Sequence, residues 1–364
     1  MSSLLLKNGN PEEKKNKALD FCRKFLERNR YKKYVMGRNV YSENVISKLN
    51  IDGVIDDFTT EKLFQGCPIL KTKDLSKNAL VINAVGGKTL TASSALNKLD
   101  IQNLDYFSFR KYSGIDLPSV IFNKGFCKEF KKHEREYHWI YEKLEDDESK
   151  IIFKKLVSFR YDNDIEHLKG FESREKEQYF EELLKLNKAN ETYIDVGGYD
   201  GFNVKQFVDR CPDYQGIYVL EPDRDNYKVC CQNLKYFRDV SILNKGLSDE
   251  KAKLRFTQQG SGSAVSSSGE IVIEVDRLDD ILDGSVKPTF IKMDIEGAEM
   301  AAIEGSKRII FECHPRLAIC VYHKPGDFWR LPEAILKIRS DYRIYLRHYT
   351  ETIYETVMFF MPSS

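Results

Sequence analysis

A chain of 364 residues is too long for one small domain, and its 41% of hydrophobic residues can form more than one buried core. Lysine and arginine number 57 against 56 aspartates and glutamates, which leaves a net charge of +1. This balance gives no support to a protein that holds long nucleic acids by neutralising their phosphates.

The sequence carries no membrane signal that we can identify. No apolar run approaches the length of a transmembrane helix, and the start, "MSSLLLKNGN", has a shorter apolar core than a signal peptide. The eight cysteines are scattered without a C-x-x-C pair, and no histidine stands at a zinc-like spacing. We therefore predict a cytoplasmic chain with buried free thiols and no structural metal.

The N-terminal part changes from one helix to alternating strands and helices. Residues 1–30 contain "NPEEKKNKALDFCRKFL", an amphipathic helix that Asn10 can cap. Over residues 31–112 the apolar runs "KYVMG", "GVI" and "ALVIN" alternate with helical patterns. This alternation predicts a small parallel α/β domain of the Rossmann type.

Residues 113–172 are mostly helical and strongly charged. The stretches "KEFKKHEREYHWIYEKL" and "ESKIIFKKLVSFRYDND" each carry an apolar stripe that includes large side chains such as Trp139 and Phe153. A free linker would not contain these side chains, so we predict a helical connector that packs on one or both domains. Its runs of charge are interpreted as solvated faces.

The last segment, residues 173–364, is again α/β. Its strand candidates are "TYIDVG", "GIYVLEPD", "VSILNKGL", "IVIEVDRL", "PTFIKMDI" and "LAICVYH". Only "TETI" separates the final pair, "YRIYLRHY" and "ETVMFFM", which is too short for a crossover helix. The predicted fold is therefore α/β, with a mostly parallel Rossmann-like sheet and an antiparallel C-terminal hairpin, the arrangement of class I methyltransferases.

The turn after the first of these strands, in "YIDVGGYDGFN", combines glycines with acids. Gly197, Gly198 and Gly201 permit positive φ angles and let the backbone approach a ligand. Asp195 on the strand and Asp200 in the turn would repel a diphosphate, which dinucleotide folds bind at this place. The two acids favour a ligand with an ammonium group, a sulfonium and no phosphate, and S-adenosylmethionine has this chemistry.

The end of the second strand, "VLEPD", agrees with an adenosyl ligand. Glu221 stands where an acid accepts hydrogen bonds from both ribose hydroxyls. "LNKGLSD" adds candidates beside the third strand for the adenine and methionine parts. The predicted cofactor contacts are Asp195, Gly197, Gly198, Tyr199, Asp200, Gly201, Glu221, Asp223, Gly246, Ser248 and Asp294.

The order of these motifs resembles a known family. "YIDVGGYDGFN", "VLEPD", "GLSD", "VDRLDDIL" and "FIKMDIEGAEMAAIEGS" are similar to the FkbM family of S-adenosylmethionine-dependent methyltransferases, over roughly residues 177–361. The resemblance implies O-methylation of a sugar or a secondary metabolite. "LEDDESKIIFKKLVSFR" also resembles the helical preface of longer members that act on bacterial surface polysaccharide, which implies a role in capsule or lipopolysaccharide biosynthesis.

The N-terminal α/β segment resembles another group. "YVMGRN", "GVIDD" and "GCPIL" are similar to the small Rossmann-like domain that opens many bacterial sugar acyltransferases, where it binds a nucleotide sugar. Of the glycine-rich turn of that group only Gly37 is present, and Asp56 and Asp57 are the residues that a sugar would contact. A scaffold or homo-oligomer role is the alternative for this segment.

Methyl transfer to a hydroxyl needs alignment of the two partners and a group that removes one proton. In "FIKMDIEGAE", Asp294 and Glu296 are two apart on a strand and share a face. They could act as the base, orient sugar hydroxyls, or hold a divalent metal ion. His323 closes "LAICVYH", where a neutral imidazole would be a suitable general base.

Two further residues are candidates for contact with the substrate. Lys292 would point to the same side as Asp294 and either pair with that carboxylate or touch substrate. Trp329, in what reads as a loop with proline and glycine, could stack on a sugar ring, and core packing is the alternative. The predicted substrate residues are Lys292, Glu296, His323 and Trp329.

The leading hypothesis is an S-adenosylmethionine-dependent O-methyltransferase that acts on a small-molecule sugar, which may be free, nucleotide-linked or polymeric. An NAD-dependent oxidoreductase or epimerase would need G-x-G-x-x-G and Tyr-x-x-x-Lys at usable positions, and neither is present. A nucleic-acid amino methyltransferase would carry Asn-Pro-Pro-aromatic where this chain has "DIEG". A catalytically inactive nucleotide-sugar-binding protein is the remaining alternative.

Overall fold

A computed structural model of the chain describes residues 2–28, 30–120, 122–257, 264–265 and 271–363. The chain forms two compact units. The first consists of Met1–Lys132, Phe153–Glu175 and Tyr349–Tyr354, and the second of His133–Ile152, Lys176–His348 and Glu355–Ser364. The four segments drawn from the sequence, 1–30, 31–112, 113–172 and 173–364, stay a prediction.

The α-helices of the described chain are α1 Pro11–Leu26, α2 Val40–Lys48, α3 Thr89–Lys98, α4 Tyr106–Tyr112, α5 Phe126–Lys132, α6 Glu134–Lys143, α7 Asp147–Asp162, α8 Phe202–Arg210, α9 Arg224–Leu234, α10 Leu278–Ile281, α11 Glu299–Glu304, α12 Lys307–Cys313 and α13 Asp327–Ile338.

The β-strands are β1 Lys32–Met36, β2 Gly53–Ile55, β3 Leu63–Phe64, β4 Cys67–Leu70, β5 Ala79–Asn83, β6 Gln102–Asp105, β7 Thr192–Val196, β8 Gly216–Leu220, β9 Val240–Leu243, β10 Gly246–Leu247, β11 Ala252–Thr257, β12 Ala264–Val265, β13 Ile271–Asp276, β14 Phe290–Met293, β15 Arg316–Cys320, β16 Tyr342–His348 and β17 Thr356–Pro362. Helices and strands alternate along much of the chain, which confirms the α/β class.

The first unit contains a six-stranded sheet in the order β3-β4-β2-β1-β5-β6. Its strands are parallel except at the β3–β4 pair. The strands β2 and β5 are buried throughout, and apart from Asn83 at the end of β5 they carry no polar side chain, as a sheet covered on two sides requires. Helix α2 begins after Asn39, whose side chain accepts hydrogen bonds from the backbone of Tyr41 and Ser42.

The acids that could contact a sugar in the first unit have protein partners. Asp56 pairs with Arg38, at 2.7 Å between Oδ2 and Nε, and Asp57 accepts hydrogen bonds from the backbone N–H and hydroxyl of Thr72. The first turn of α3 is also engaged, because the Thr91 backbone N–H donates to Glu351 Oε2 at 2.7 Å. A sugar contact in this unit stays a prediction.

The second unit contains a seven-stranded sheet in the order β16-β17-β15-β14-β7-β8-β9. Five strands are parallel, and β17 runs antiparallel to both β15 and β16. The predicted C-terminal hairpin is therefore confirmed, with His348 opposite Thr356 at its turn end. Tyr193 of β7 stacks between Phe207 and Phe290, with ring centroids 4.6 and 5.1 Å away, and anchors the centre of the sheet to α8.

One predicted strand belongs to a different sheet. The segment "IVIEVD" is β13, which pairs with β10 and β11 in a separate four-stranded sheet of order β10-β13-β11-β12. Its buried residues Ile273 and Val275 pack against Ala252 and Leu254 of β11, so the small sheet has its own apolar face. Consequently β14 and β15 are the fourth and fifth strands of the large sheet in chain order.

The predicted absence of membrane helices and disulfides can be compared with the described residues. None of their helices combines the length and the apolar composition that would be needed to cross a bilayer. All eight cysteines are free, but only Cys22, Cys211, Cys230 and Cys320 are buried and the other four are half-buried. The prediction of uniformly buried thiols was therefore too strong.

Candidate active site

The glycine turn lies between β7 and α8 at the carboxyl edge of the large sheet. Gly197 and Gly201 have φ angles of 81° and 82°, which favour glycine. A Cβ atom on Gly197 would lie 2.1 Å from the Asp294 carbonyl oxygen, and one on Gly198 would lie 2.1 Å from Val219 Cγ1. The glycines are thus required by close packing of the turn against the neighbouring strands β14 and β8, a reason that the sequence analysis did not give.

The acid at the end of β7 is neutralised within the protein. Asp195 and Lys292 are direct neighbours in the parallel register of β7 and β14. Lys292 Nζ lies 3.1 Å from Asp195 Oδ1, and the two side chains are 1% and 0% exposed. The ammonium group also donates to the backbone oxygens of Val196 and Gly197, at 3.3 and 2.7 Å.

These contacts give Asp195 and Lys292 a role within the protein. Burial raises the pKa of Asp195, and it opposes the charge on Lys292, but the carboxylates of Asp195 and Asp294 raise the pKa of Lys292 above its usual value. The charges of Lys292 and Asp195 therefore balance each other. The contact of Asp195 with a cofactor and the contact of Lys292 with substrate stay predictions, for two side chains that are 0% and 1% exposed.

Glu221 lies just after β8, beside the glycine turn. Its Oε2 accepts a hydrogen bond from the Tyr199 backbone N–H at 2.8 Å, and its Oε1 accepts one from Asp223 at 2.9 Å. Burial raises the pKa of this carboxyl. Each carboxylate oxygen has two lone pairs, so both oxygens keep the capacity to accept one more hydrogen bond. This capacity fits the two hydroxyl groups of a ribose.

Other predicted cofactor residues have clear local roles. Asp223 caps α9 by accepting hydrogen bonds from the backbone of the helix's first turn. Asp200 accepts one from the Phe202 N–H at 3.0 Å, and a Cβ atom on Gly246 would lie 3.2 Å from Val275. Ser248 is buried, and its backbone N–H donates to the Asp276 carbonyl. These contacts explain the residues without a ligand, so their role in cofactor binding stays a prediction.

Two aromatic side chains project from the glycine turn. Tyr199 and Phe202 are 51% and 48% exposed, and Tyr199 has a φ angle of 49°. Phe202 was missed in the sequence because the first residue of a helix is not distinguished by any motif. Exposed rings beside Glu221 could cover the apolar parts of an adenosyl ligand, and together with the free acceptor capacity of Glu221 they make the turn compatible with S-adenosylmethionine.

Predicted residues from two neighbouring strands come together beyond β14 and β15. His323 Nε2 lies 3.4 Å from Asp294 Oδ1 and 3.4 Å from Glu296 Oε2. His323 Nδ1 lies 2.8 Å from Glu299 Oε1, which also accepts a hydrogen bond from the Ile295 N–H. The imidazole is fully buried, while the Asp294 and Glu296 side chains keep 22% and 18% of their exposure. We refer to Asp294, Glu296, Glu299 and His323 as the acid–histidine cluster.

The carboxylates around His323 favour the charged form of its imidazole. Burial opposes a charge on the imidazole, but Glu299, Asp294 and Glu296 raise the pKa of His323 to about 10. The group is therefore protonated at neutral pH when it is surrounded by these carboxylates alone. The role of His323 as a general base, which would need the neutral imidazole, stays a prediction.

The carboxyl groups of Asp294 and Glu296 differ from each other. Burial raises the pKa of Asp294, but the charges of Lys292 and His323 overcome this effect and lower it below its usual value. Burial raises the pKa of Glu296 to about 8. Glu296 also has a φ angle of 54°, so its backbone is in the left-handed region, and it does not follow the strand geometry on which the shared-face argument depended.

The sequence analysis did not predict the residues that hold Asp294 Oδ2 by hydrogen bonds. The Tyr179 hydroxyl donates to Asp294 Oδ2 at 2.6 Å, and Gln178 Nε2 donates to the Tyr179 oxygen at 2.7 Å. Gln178 also donates to Glu355 at 2.5 Å. No motif in the sequence could have found these contacts, because Tyr179 lies outside any long helix or strand and 115 residues from Asp294.

Trp329 is not in a loop. It lies in the first turn of α13, is 8% exposed, and stacks on His133 with ring centroids 4.8 Å apart. The segment forms a helix because apolar residues recur at helical spacing after Gly326, although it contains Pro332. The position of the ring agrees with the packing alternative and not with a sugar-stacking surface.

With this geometry established, the chain can be compared with known proteins. Residues 195–349 match the family model described as "Methyltransferase FkbM domain". No curated protein matches the chain. The crystal structure of the methyltransferase FkbM from Methylobacillus flagellatus KT is similar, with a TM-score of 0.73 and 21% identity, over 96% of this chain and 99% of that one.

More distant structures share part of the fold. A precorrin-6y C5,15-methyltransferase from Geobacter metallireducens GS-15 has a TM-score of 0.32 at 14% identity, over 50% of this chain and 83% of its own. An rRNA methylase from Streptococcus thermophilus has a TM-score of 0.32 at 12% identity, over 50% and 92%. These two likenesses are too slight to add to the assignment. Over residues 195–349 the chain thus matches the FkbM methyltransferase domain model, and over most of its length it has the fold of the Methylobacillus protein.

Proposed function

We propose that this chain is an S-adenosylmethionine-dependent O-methyltransferase whose acceptor is the hydroxyl group of a sugar. The observation that carries the proposal is the match of residues 195–349 to the FkbM methyltransferase domain. That segment includes the glycine turn, Glu221 and the acid–histidine cluster. The carboxyl edge of a parallel sheet is where ligands of this fold bind.

Glu221 is the proposed ribose-binding residue. Its two oxygens are fixed by the backbone N–H groups of Tyr199 and Asp223, so the carboxylate is held in one orientation. Hydrogen bonds from ribose hydroxyls to a charged, oriented acceptor are stronger than those between neutral groups. The glycine turn and the exposed ring of Tyr199 would then contact the remainder of the cofactor.

The acid–histidine cluster is the proposed acceptor site. Asp294 and Glu296 are partly exposed, while His323 and Glu299 behind them are buried. When bound, S-adenosylmethionine supplies a methyl group on a good leaving group, so the protein's task is alignment and removal of one proton. Asp294, which its lowered pKa keeps ionised, orients the acceptor hydroxyl and takes up its proton, Glu296 contributes to binding of the acceptor, and His323 holds the two side chains in place.

A sugar is favoured as acceptor by the resemblance of the chain to FkbM enzymes and by the chemistry of the cluster. Several carboxylate oxygens at one opening match an acceptor that carries several hydroxyl groups. A role in capsule or lipopolysaccharide biosynthesis follows from the same resemblance. The candidate acceptors are free, nucleotide-linked and polymeric sugars, and the experiment below separates the first two forms.

The proposal is tested by incubating the protein with radiolabelled S-adenosylmethionine and a panel of free and nucleotide-activated hexoses and heptoses. Label should enter at least one sugar, and the rate of transfer should fall about 100-fold in Asp294→Asn but be kept in Glu333→Gln, a matched change of a carboxylate in α13 that pairs with Lys337 and is 42% exposed. Binding of NAD but not of S-adenosylmethionine, measured by calorimetry on the same sample, would contradict the proposal and favour an oxidoreductase.

A further inference from the structure

The two ring nitrogens of His323 face different kinds of partner. On one side, Nδ1 lies 2.8 Å from Glu299 Oε1, within the range of a charge-assisted hydrogen bond. On the other side, Nε2 lies 3.4 Å from both Asp294 Oδ1 and Glu296 Oε2. A normal N–H···O hydrogen bond is about 2.7–3.2 Å long, so these two separations are too long.

The distances from His323 Nε2 to Asp294 Oδ1 and to Glu296 Oε2 have the length expected between two ligands of one metal ion. Nitrogen and oxygen ligands lie about 2.0–2.2 Å from a divalent transition metal. Two such ligands at tetrahedral to octahedral angles are therefore about 3.0–3.4 Å apart. The distances of Nε2 from the two carboxylate oxygens, 3.4 Å each, are at the upper end of this range.

The same two oxygens lack other partners. Asp294 Oδ1 and Glu296 Oε2 are both buried, and neither accepts a hydrogen bond from the described residues. A buried carboxylate oxygen without a donor costs free energy, which a bound cation would remove. Asp294 Oδ2, in contrast, is satisfied by the Tyr179 hydroxyl. The two carboxylate oxygens that face His323 Nε2 can therefore still bind a cation.

Glu299 lies beside the second ring nitrogen of His323, where a residue that supports a metal-binding histidine is expected. Histidine ligands of metal ions usually donate their second ring N–H to a carboxylate or a carbonyl, which fixes the ring. Glu299 is 1% exposed and held by the Ile295 backbone N–H, so it is a rigid partner for Nδ1. Donor atoms of Asp294, Glu299 and His323 all lie within 4.8 Å of one another, and Glu296 is linked to this group by the 3.4 Å between its Oε2 and His323 Nε2.

We propose that His323 Nε2, Asp294 and Glu296 bind one divalent transition-metal ion, and that Glu299 positions the imidazole. One nitrogen and two carboxylate oxygens favour an ion such as Mn²⁺, Fe²⁺, Co²⁺ or Zn²⁺ over Mg²⁺ or Ca²⁺, which prefer oxygen ligands alone. If the proposed function holds, an ion at this place would lower the pKa of the acceptor hydroxyl and orient it.

The test uses the full chain with Mn²⁺ and no S-adenosylmethionine or sugar, so its result does not depend on the proposed function. Mn²⁺ is chosen because the eight cysteines could bind Zn²⁺ elsewhere. After treatment with a chelator and dialysis, the protein is titrated with Mn²⁺ while electron paramagnetic resonance reports the free ion. We expect saturation at one Mn²⁺ per chain.

Variants assign the ion to the cluster. Asp294→Asn and Glu296→Gln should each weaken Mn²⁺ binding by more than about tenfold, and Glu299→Gln by about tenfold, as expected for a residue that supports a ligand. Glu333→Gln, an exposed carboxylate on α13, should bind Mn²⁺ like the wild type. Circular dichroism and thermal melting establish that each variant is folded.

Two results would overturn the proposal. The first is the absence of saturable Mn²⁺ binding to the wild type, which would mean that the cluster is an ion network built around a protonated imidazole. The second is unchanged binding in a variant that carries both Asp294→Asn and Glu296→Gln. If these variants do not fold, electron spin echo measurement on the wild-type Mn²⁺ complex decides: nitrogen coupling from an imidazole supports the site, and its absence refutes His323 as a ligand.

Discussion

The neighbouring strands β7 and β14 both end in acids, but the two ends differ in how charge is balanced. Asp195 in β7 lies 3.1 Å from Lys292 of β14, and both side chains are almost completely buried. The acid–histidine cluster beyond β14 has three carboxylates around one imidazole and is partly open to solvent. In this protein the acid that a neighbouring strand neutralises is buried, whereas Asp294 and Glu296, beyond that pairing, stay partly exposed.

The register of the sheet determines this difference. Lys292 lies directly opposite Asp195 because β7 and β14 are parallel and in contact. Asp294, after the last residue of β14, lies beyond that pairing and meets His323 from the next strand instead. We therefore expect the pair of Asp195 and Lys292 to stabilise the fold and the acid–histidine cluster to act in methyl transfer. Substitutions can test the two expectations separately.

The largest effect is expected from Lys292→Met. This change leaves Asp195 buried without its cation, which should lower the free energy of unfolding by about 3–5 kcal/mol. Urea denaturation measures the loss. The double variant Asp195→Leu with Lys292→Met should recover most of it, because an apolar pair carries no desolvation cost. A loss in the single variant as small as that of an exposed ion pair, about 0.5 kcal/mol, would contradict the structural role of the pair.

Asp294→Asn should have the next largest effect, on catalysis and not on stability. Loss of the carboxylate that orients and deprotonates the acceptor should lower kcat about 100-fold, equivalent to ~2.7 kcal/mol. The affinity for S-adenosylmethionine should change by less than about twofold, because the cofactor is held by the glycine turn and Glu221. Steady-state kinetics and calorimetry check the two parts, and an unchanged kcat would place the proton acceptor elsewhere.

Glu221→Ala should act in the opposite way, on the affinity for the cofactor. Removal of the proposed ribose acceptor should weaken binding of S-adenosylmethionine about tenfold, or ~1.4 kcal/mol, since hydrogen bonds to a charged group are lost. The loss should be similar for S-adenosylhomocysteine, which has the same ribose. Calorimetry with both ligands tests this expectation. Equal affinity in the variant and the wild type would show that the ribose lies away from β8.

The smallest effect is expected from Tyr179→Phe. The change removes the hydroxyl that donates to Asp294 Oδ2 at 2.6 Å and keeps the aromatic ring. One hydrogen bond contributes ~1 kcal/mol, so kcat should fall about fivefold without a change in cofactor affinity. In the Asp294→Asn background the same change should have almost no further effect, because its partner is already altered. Additive losses would separate Tyr179 from Asp294.

The fold was largely predictable from the sequence, and the site only in part. The turn from β7 to α8, Glu221 after β8 and the C-terminal hairpin follow from strand patterns and short connections, which are local signals. The partner of Asp195 was not predictable, because the register between β7 and β14 is set by packing across the sheet. The same reason applies to Tyr179, which reaches Asp294 across 115 residues of chain.

The role of His323 shows a different limit. Its place after β15 was inferred from the end of an apolar run, but the groups that determine its charge could not be inferred in the same way. The charge depends on three carboxylates contributed by the segment that follows β14, and their distances from the ring decide whether the imidazole is neutral. Sequence alone gives the residue types at a strand end, and only the three-dimensional arrangement gives their protonation.

The central claim is that the carboxyl edge formed by β7, β8 and β14 binds S-adenosylmethionine beside the acid–histidine cluster. A crystal structure of the protein with S-adenosylhomocysteine tests it most directly. We predict ribose hydroxyls within hydrogen-bonding distance of Glu221 and a sulfur atom on the side of Asp294. A ligand bound elsewhere, or a Glu221 carboxylate turned away from the ribose, would contradict the account.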